Sequence, residues 1–108
     1  MRNRFEGKVA IVTGGAGGQG EQIVRMLARE GCSVVIGDVL DDQGKVVADD
    51  LGASVVYTRL DVTAPTDWAK AVTVATSTFG GLDVLVNNAA IYRRQLLEDE
   101  TVADLDKI

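Results

Sequence analysis

The residues best suited to chemistry follow the first apolar run of the chain. This glycine loop (residues 13–20) reads TGGAGGQG and contains the spacings G-x-G-x-x-G from Gly15 and T-G-x-x-x-G-x-G from Thr13. Glycines let backbone N–H groups approach a phosphate, and the N-terminus of a following helix adds donors and a favourable dipole. The loop therefore predicts a site for the pyrophosphate of a dinucleotide, with a plain flexible turn as the alternative.

An acid at the end of the second apolar run is the next candidate. Asp38 lies 18 residues after Gly20, near the spacing at which an acid accepts hydrogen bonds from the adenosine ribose of a dinucleotide. Its charge would repel the 2′-phosphate of NADP, and no Lys or Arg lies in the glycine loop or at Val39. The pattern favours NAD as the cofactor. The alternative is a solvated turn aspartate, which is how we interpret Asp41 and Asp42.

Polar residues also follow the third and fourth apolar runs. Asp61 could meet the adenine amino group, with the Val62 backbone beside it, or it could be a plain turn residue. Asn87-Asn88-Ala89-Ala90 follows the fourth run. Ligands of open α/β sheets bind outside the carboxyl ends of the strands, where the strand order reverses. We expect the asparagines to tie neighbouring strand ends together and the alanines to leave room for a ribose, with turn asparagines as the alternative.

These candidates are positioned by alternating strand-like and helix-like segments. Continuous apolar runs predict strands buried on both faces, and apolar residues at helical spacing predict the helices between them. The predicted strands are residues 9–12, 33–38, 55–60 and 82–86, the predicted helices are residues 18–30, 40–51 and 65–79, and a further helix begins at Thr101. The alternation indicates an α/β fold, a Rossmann-type doubly wound parallel sheet, of which residues 1–108 hold the N-terminal portion with about four strands.

The handedness of strand crossovers predicts where the helices lie. Right-handed crossovers place the first two helices on one face and, because the strand order then reverses, the third helix on the other. Strand four would lie beside strand one with an unpaired edge. We expect Thr63 to cap the third helix. The side chains predicted to face inward are Val46, Val47 and Leu51 in the second helix and Trp68, Val72, Ala75 and Phe79 in the third.

Composition excludes several classes of protein. The 108 residues carry a net charge of −5 and include no histidine and one cysteine. An acidic domain is a poor partner for nucleic acid or an anionic membrane, and no apolar run approaches the roughly 18 residues that cross a bilayer. Without histidine we expect no metal site. Cys32 is expected to be a small buried residue in a reducing, cytoplasmic setting.

Taken together, these residues resemble the short-chain dehydrogenase/reductase family. The glycine loop looks like its T-G-x-x-x-G-x-G, Leu60-Asp61-Val62 like its adenine segment, and Asn87-Asn88-Ala89-Ala90 like its N-N-A-G with Ala90 in place of glycine. The extended epimerase branch shares another loop spacing but fits the Asn-Asn-Ala motif less well. The resemblance implies that the pyrophosphate is held by Gly14, Gly18, Gln19 and Gly20, the ribose by Asp38 with Val39 beside it, the adenine by Asp61 and Val62, and the nicotinamide-side ribose by Asn88, Ala89 and Ala90.

The same resemblance implies an NAD-dependent oxidoreductase that transfers hydride between nicotinamide and a small alcohol or ketone, in a homo-oligomer. Features around Asp38 and Asp61 look closest to bacterial hydroxysteroid-type members. The family's catalytic Tyr and Lys stand four residues apart. In this chain Asp61 lies four residues after Tyr57, and Leu96 lies four residues after Tyr92, so neither pair fits.

We therefore name no catalytic residue. We expect those positions to lie beyond Ile108 and the 108-residue chain alone to be inactive. A catalytically inactive nucleotide-binding module and a truncated pseudoenzyme remain the alternative interpretations.

Overall fold

A computed structural model describes residues 5–88 of the chain. Strands and helices alternate throughout, as the apolar pattern predicts, and the bounds differ from the predicted ones by at most two residues. The helix predicted to begin at Thr101 lies outside the described residues. The elements are β1 (Val9–Thr13), α1 (Gly18–Arg29), β2 (Ser33–Asp38), α2 (Asp41–Leu51), β3 (Val55–Arg59), α3 (Pro65–Phe79) and β4 (Val84–Asn87).

The four strands form one parallel sheet in the order β3-β2-β1-β4. β1 lies at its centre, and all five of its residues are buried. A strand flanked by neighbours and covered on both faces is mostly apolar, which explains the continuous run from Val9 to Val12. The predicted Rossmann order, with its reversal between strands three and four, is confirmed.

Successive side chains of β1 enter two separate cores, because strand residues alternate between the faces of a sheet. Val12 packs in a cluster with residues of α1 and α2. Ile11 packs in a second cluster with Ala71 and Ala75 of α3. The first two helices therefore cover one face and the third covers the other, as the handedness of the crossovers predicts.

Several details of the sequence prediction are wrong. Val46 is 66% exposed and Val72 is 39% exposed, because the buried stripe of each helix is narrower than its apolar residues suggest. In α3, where small Ala71 and Ala75 meet the sheet, the helix can approach closely. Thr63 does not cap α3, since the N-cap residue is Ala64 and no side chain caps the helix. Cys32 is fully buried, as predicted, and this burial raises the pKa of its thiol.

We expect Ile11→Ala to lower the free energy of unfolding by about 2–5 kcal/mol, because Ile11 is fully buried between β1 and α3 and its truncation leaves a cavity. Urea unfolding followed by circular dichroism measures this. Val46→Ala is the matched control, since that side chain is 66% exposed, and we expect a change within about 0.5 kcal/mol. Equal losses in the two variants would contradict the assignment of Ile11 to the core.

Candidate functional site

The glycine loop turns sharply between the end of β1 and the start of α1. Gly14 and Gly18 adopt positive φ angles of 69° and 57°, a region that side chains disfavour. The Gly14 N–H donates to the Gly37 carbonyl oxygen at 2.7 Å. A Cβ atom on Gly20 would overlap the carbonyl oxygen of Gly14. Glycine is therefore required at these positions for the first turn of α1 to lie against the end of β1.

This packing leaves the N-terminus of α1 open at the carboxyl edge of the sheet. The residue before the helix is Gly17, which has no side chain with which to cap the first N–H groups. Gln19, in the first turn, is exposed. Uncapped N–H groups and the positive end of the helix dipole form a favourable environment for an anion.

Asp38 ends β2 directly beside the glycine loop. One carboxylate oxygen accepts from the Ala16 N–H at 3.1 Å, and the other accepts from Val39 at 2.7 Å and Leu40 at 3.2 Å. A carboxylate has about four acceptor positions, so this arrangement leaves room for about one more donor. The contacts hold the acid towards the loop, while the Val39 side chain is 46% exposed.

The two asparagines join β4 to β1, as the sequence predicted. The buried Thr13 hydroxyl donates to the Asn87 side-chain oxygen at 3.0 Å. The Asn88 amide donates to the Gly14 carbonyl oxygen at 3.4 Å, and it lies near the place a Cβ of Gly20 would occupy. Asn88 thus contacts the glycine loop. Ala89 and Ala90, predicted to lie near the second ribose, are outside the described residues.

Asp61 and Val62 follow β3 at the same edge of the sheet. An Asp61 carboxylate oxygen accepts from the Thr63 N–H at 2.9 Å and from its hydroxyl at 2.6 Å. This is the turn that the sequence offered as the alternative, and the adenine contact stays a prediction. The Val62 carbonyl oxygen accepts from the Trp68 indole N–H at 2.9 Å, which places the single tryptophan of the chain beside this segment.

The sequence analysis missed a polar network behind Asp38, formed by Tyr57, Asp41 and Arg59. The Tyr57 hydroxyl lies within hydrogen-bonding distance of the Asp38 carbonyl oxygen and of an Asp41 carboxylate oxygen. The Arg59 guanidinium donates to the other Asp41 oxygen at 3.0 Å and to the Val39 carbonyl oxygen at 3.0 Å. Asp41 is therefore half-buried and bonded, not the solvated acid that the sequence suggested.

Strand periodicity and one glycine of α2 account for this network. Residues 57 and 59 are two apart on one strand, so they share a face of the sheet, and Arg59 pairs with Asp38 in the β2–β3 register. Gly44 of α2 is glycine because a Cβ there would overlap the Tyr57 ring. The hydrogen bond from Tyr57, followed by the charge of Arg59, holds the pKa of Asp41 below its ordinary value.

The Tyr57 hydroxyl is a hydrogen-bond donor to Asp41 in this network. Burial, and then its hydrogen bond to Asp41, raise the pKa of its hydroxyl above the ordinary value. A catalytic acid or base needs a pKa near the working pH. That Tyr57 has no catalytic role stays a prediction.

The described part of the chain has neither a metal site nor a membrane-spanning helix. Residues 5–88 contain no group of three side chains placed to hold a metal ion. Over the same residues, no helix is long and apolar enough to cross a membrane.

The chain is similar to known dehydrogenases and reductases. The family model for short chain dehydrogenases matches residues 8–108. The 3-alpha-(or 20-beta)-hydroxysteroid dehydrogenase of Mycobacterium tuberculosis is 47% identical over 108 residues, covering 100% of this chain and 42% of that protein. The chain thus spans less than half the length of this relative.

Solved structures give the same result for the fold. A short-chain dehydrogenase/reductase, described as a glucose/ribitol dehydrogenase, from Brucella melitensis superposes with a TM-score of 0.73 at 29% identity, covering 79% of this chain and 37% of the other. The 3-ketoacyl-(acyl-carrier-protein) reductase of the same organism, in complex with NADH, has a TM-score of 0.73 at 36% identity, covering 75% and 33%.

Proposed function

Because the chain belongs to the short-chain dehydrogenase family, we propose that it forms the NAD-binding part of an oxidoreductase acting on an alcohol or ketone. The observation that carries the proposal is the placement of the Asp38 carboxylate against the glycine loop, through the Ala16 N–H. A nicotinamide cofactor supplies hydride transfer when it is bound. The residues of this chain bind and orient that cofactor.

The glycine loop fits a pyrophosphate. Gly14 and Gly18 adopt positive φ angles, which glycine tolerates better than other residues. Gly20 has no side chain, so α1 can lie against the end of β1. The N–H groups of the first turn of α1, which includes Gln19, then point their dipole at the phosphates. We assign the pyrophosphate to these four residues.

Asp38 supports NAD over NADP. Its remaining acceptor position suits a hydroxyl of the adenosine ribose, and hydrogen bonds to charged groups contribute about 1.5–3 kcal/mol. The same charge repels a 2′-phosphate, and the exposed Val39 adds no cation. We assign the adenine to Asp61 and Val62, which follow the next strand, and the nicotinamide-side ribose to Asn88 with Ala89 and Ala90 after it.

The substrate is proposed from the relatives. The name of the M. tuberculosis protein makes a secondary alcohol of a steroid the first class to assay, with simple cyclic alcohols and ketones next. We also propose that the protein works as a homo-oligomer, as the family resemblance implies.

Titration of the purified protein with NADH tests the proposal. We expect saturable binding, with Trp68 emission quenched by energy transfer to the nicotinamide, and weaker binding of NADPH by about tenfold or more. Trp68 is a suitable reporter because it lies beside Val62 at the proposed adenine end. Tighter binding of NADPH than of NADH would overturn the cofactor assignment, and binding of neither would overturn the proposed site.

A further inference from the structure

Arg59 contacts the turn after β2 and is paired with an acid. Arg59 is a half-exposed side chain on β3, and its guanidinium reaches over the end of β2 to the Val39 carbonyl oxygen. The same guanidinium forms a 3.0 Å ion pair with Asp41, which is the first residue of α2. Two acceptors therefore fix it in place.

Arg59 and Asp38 both contact the backbone of Val39. The Asp38 carboxylate accepts from the Val39 N–H, and the Arg59 guanidinium donates to the Val39 carbonyl oxygen. These two atoms belong to one residue, so the guanidinium and the carboxylate lie no more than about 10 Å apart. A ribose held by Asp38 would place any group on its 2′ position near this cation.

A hydrogen bond and an ion pair hold the Asp41 carboxylate in place. Both of its carboxylate oxygens are bonded, one by the Tyr57 hydroxyl and one by Arg59. Tyr57 is in turn wedged against Gly44, where no larger residue fits. A solvated surface acid has no such support.

We propose that Asp41 is a specificity-determining residue, which selects against NADP by holding Arg59 in an ion pair beside the Asp38 turn. Arg is the side chain best suited to bind a phosphate with two parallel hydrogen bonds. Paired with Asp41, it presents little net charge to a 2′-phosphate. Without that partner it would offset the repulsion from Asp38. The inference rests on the proposed ribose site at Asp38.

The test is a comparison of NADH and NADPH dissociation constants in Asp41→Asn, which keeps the shape and removes the charge. We expect NADPH affinity to rise about fivefold or more and NADH affinity to change less than about twofold, because only the phosphate gains a partner. A purely structural defect would weaken both ligands together. An increase in NADPH affinity therefore cannot arise from partial unfolding.

Asp42→Asn is the matched control. It removes the same charge one residue later, but Asp42 is exposed and its side chain forms no hydrogen bond with any residue of 5–88. We expect less than about a twofold change in NADPH affinity, since an exposed charge is screened by solvent. An equal gain in NADPH affinity in the two variants would show that the effect depends on net charge alone and would overturn the proposal.

The double variant Asp41→Asn/Arg59→Gln identifies the cation responsible. We expect it to lose the NADPH gain of Asp41→Asn, whereas Arg59→Gln alone should weaken NADPH binding, because it leaves the Asp41 charge unpaired. A gain that persists without Arg59 would contradict the proposal. If Asp38→Ala alters neither affinity, the proposed ribose site fails. If Asp38→Ala behaves as expected and Asp41→Asn does not, only this inference fails.

Discussion

Asp38→Ala is expected to weaken NADH binding by about 10- to 100-fold, because it removes a charged acceptor worth about 1.5–3 kcal/mol to the ribose hydroxyls. NADPH affinity should stay level or rise, since the repulsion of the 2′-phosphate disappears with the charge. The preference for NADH over NADPH is therefore expected to collapse. Titration of both dinucleotides, followed by Trp68 emission, measures the two constants in one protein preparation.

Asp38 also has a structural role, so a second variant is needed. Its carboxylate accepts from the backbone N–H groups of Ala16, Val39 and Leu40, and alanine removes all three bonds. Asp38→Asn keeps the shape and one acceptor oxygen while removing the charge. It should relax the preference with a smaller loss of stability. Unchanged selectivity in both variants would show that Asp38 does not contact the ribose.

The second large effect is expected from Gly20→Ala. A methyl group at this position overlaps the Gly14 carbonyl oxygen and approaches the Asn88 amide. Backbone atoms cannot rotate away as a flexible side chain can, so α1 must move off the end of β1. We expect a loss of about 1–3 kcal/mol in the free energy of unfolding. Dinucleotide affinity should fall by more than about tenfold as the N–H donors move out of hydrogen-bonding geometry.

Gly17→Ala is the matched control within the glycine loop. Its φ of −158° is open to any residue, and an added Cβ would meet only the end of the Gln43 side chain, which can shift at low cost. Chemical unfolding and NADH titration on both variants test the argument. A Gly20→Ala protein with the same free energy of unfolding as Gly17→Ala would refute the close approach of α1 to β1.

Patterns within short segments of the sequence predicted most of the fold. The apolar runs and helical spacings predicted every described strand and helix, because each element must bury one stripe or both faces. Handedness then placed α1 and α2 on one side and α3 on the other. Burial within a helix was predicted less well, as exposed Val46 shows, because the helix rotates to suit its neighbours and apolar residues at its margin remain in solvent.

The sequence by itself determined the glycine loop, the acid at the end of β2 and the family, since these depend on residue types at fixed spacings along one chain segment. Tertiary structure alone decided how Asp38 meets Ala16, how Asn87 meets Thr13, and how Asp41 and Arg59 form a pair. Each of these contacts joins different elements. They depend on the register of parallel strands and on side-chain rotamers, which no local pattern specifies.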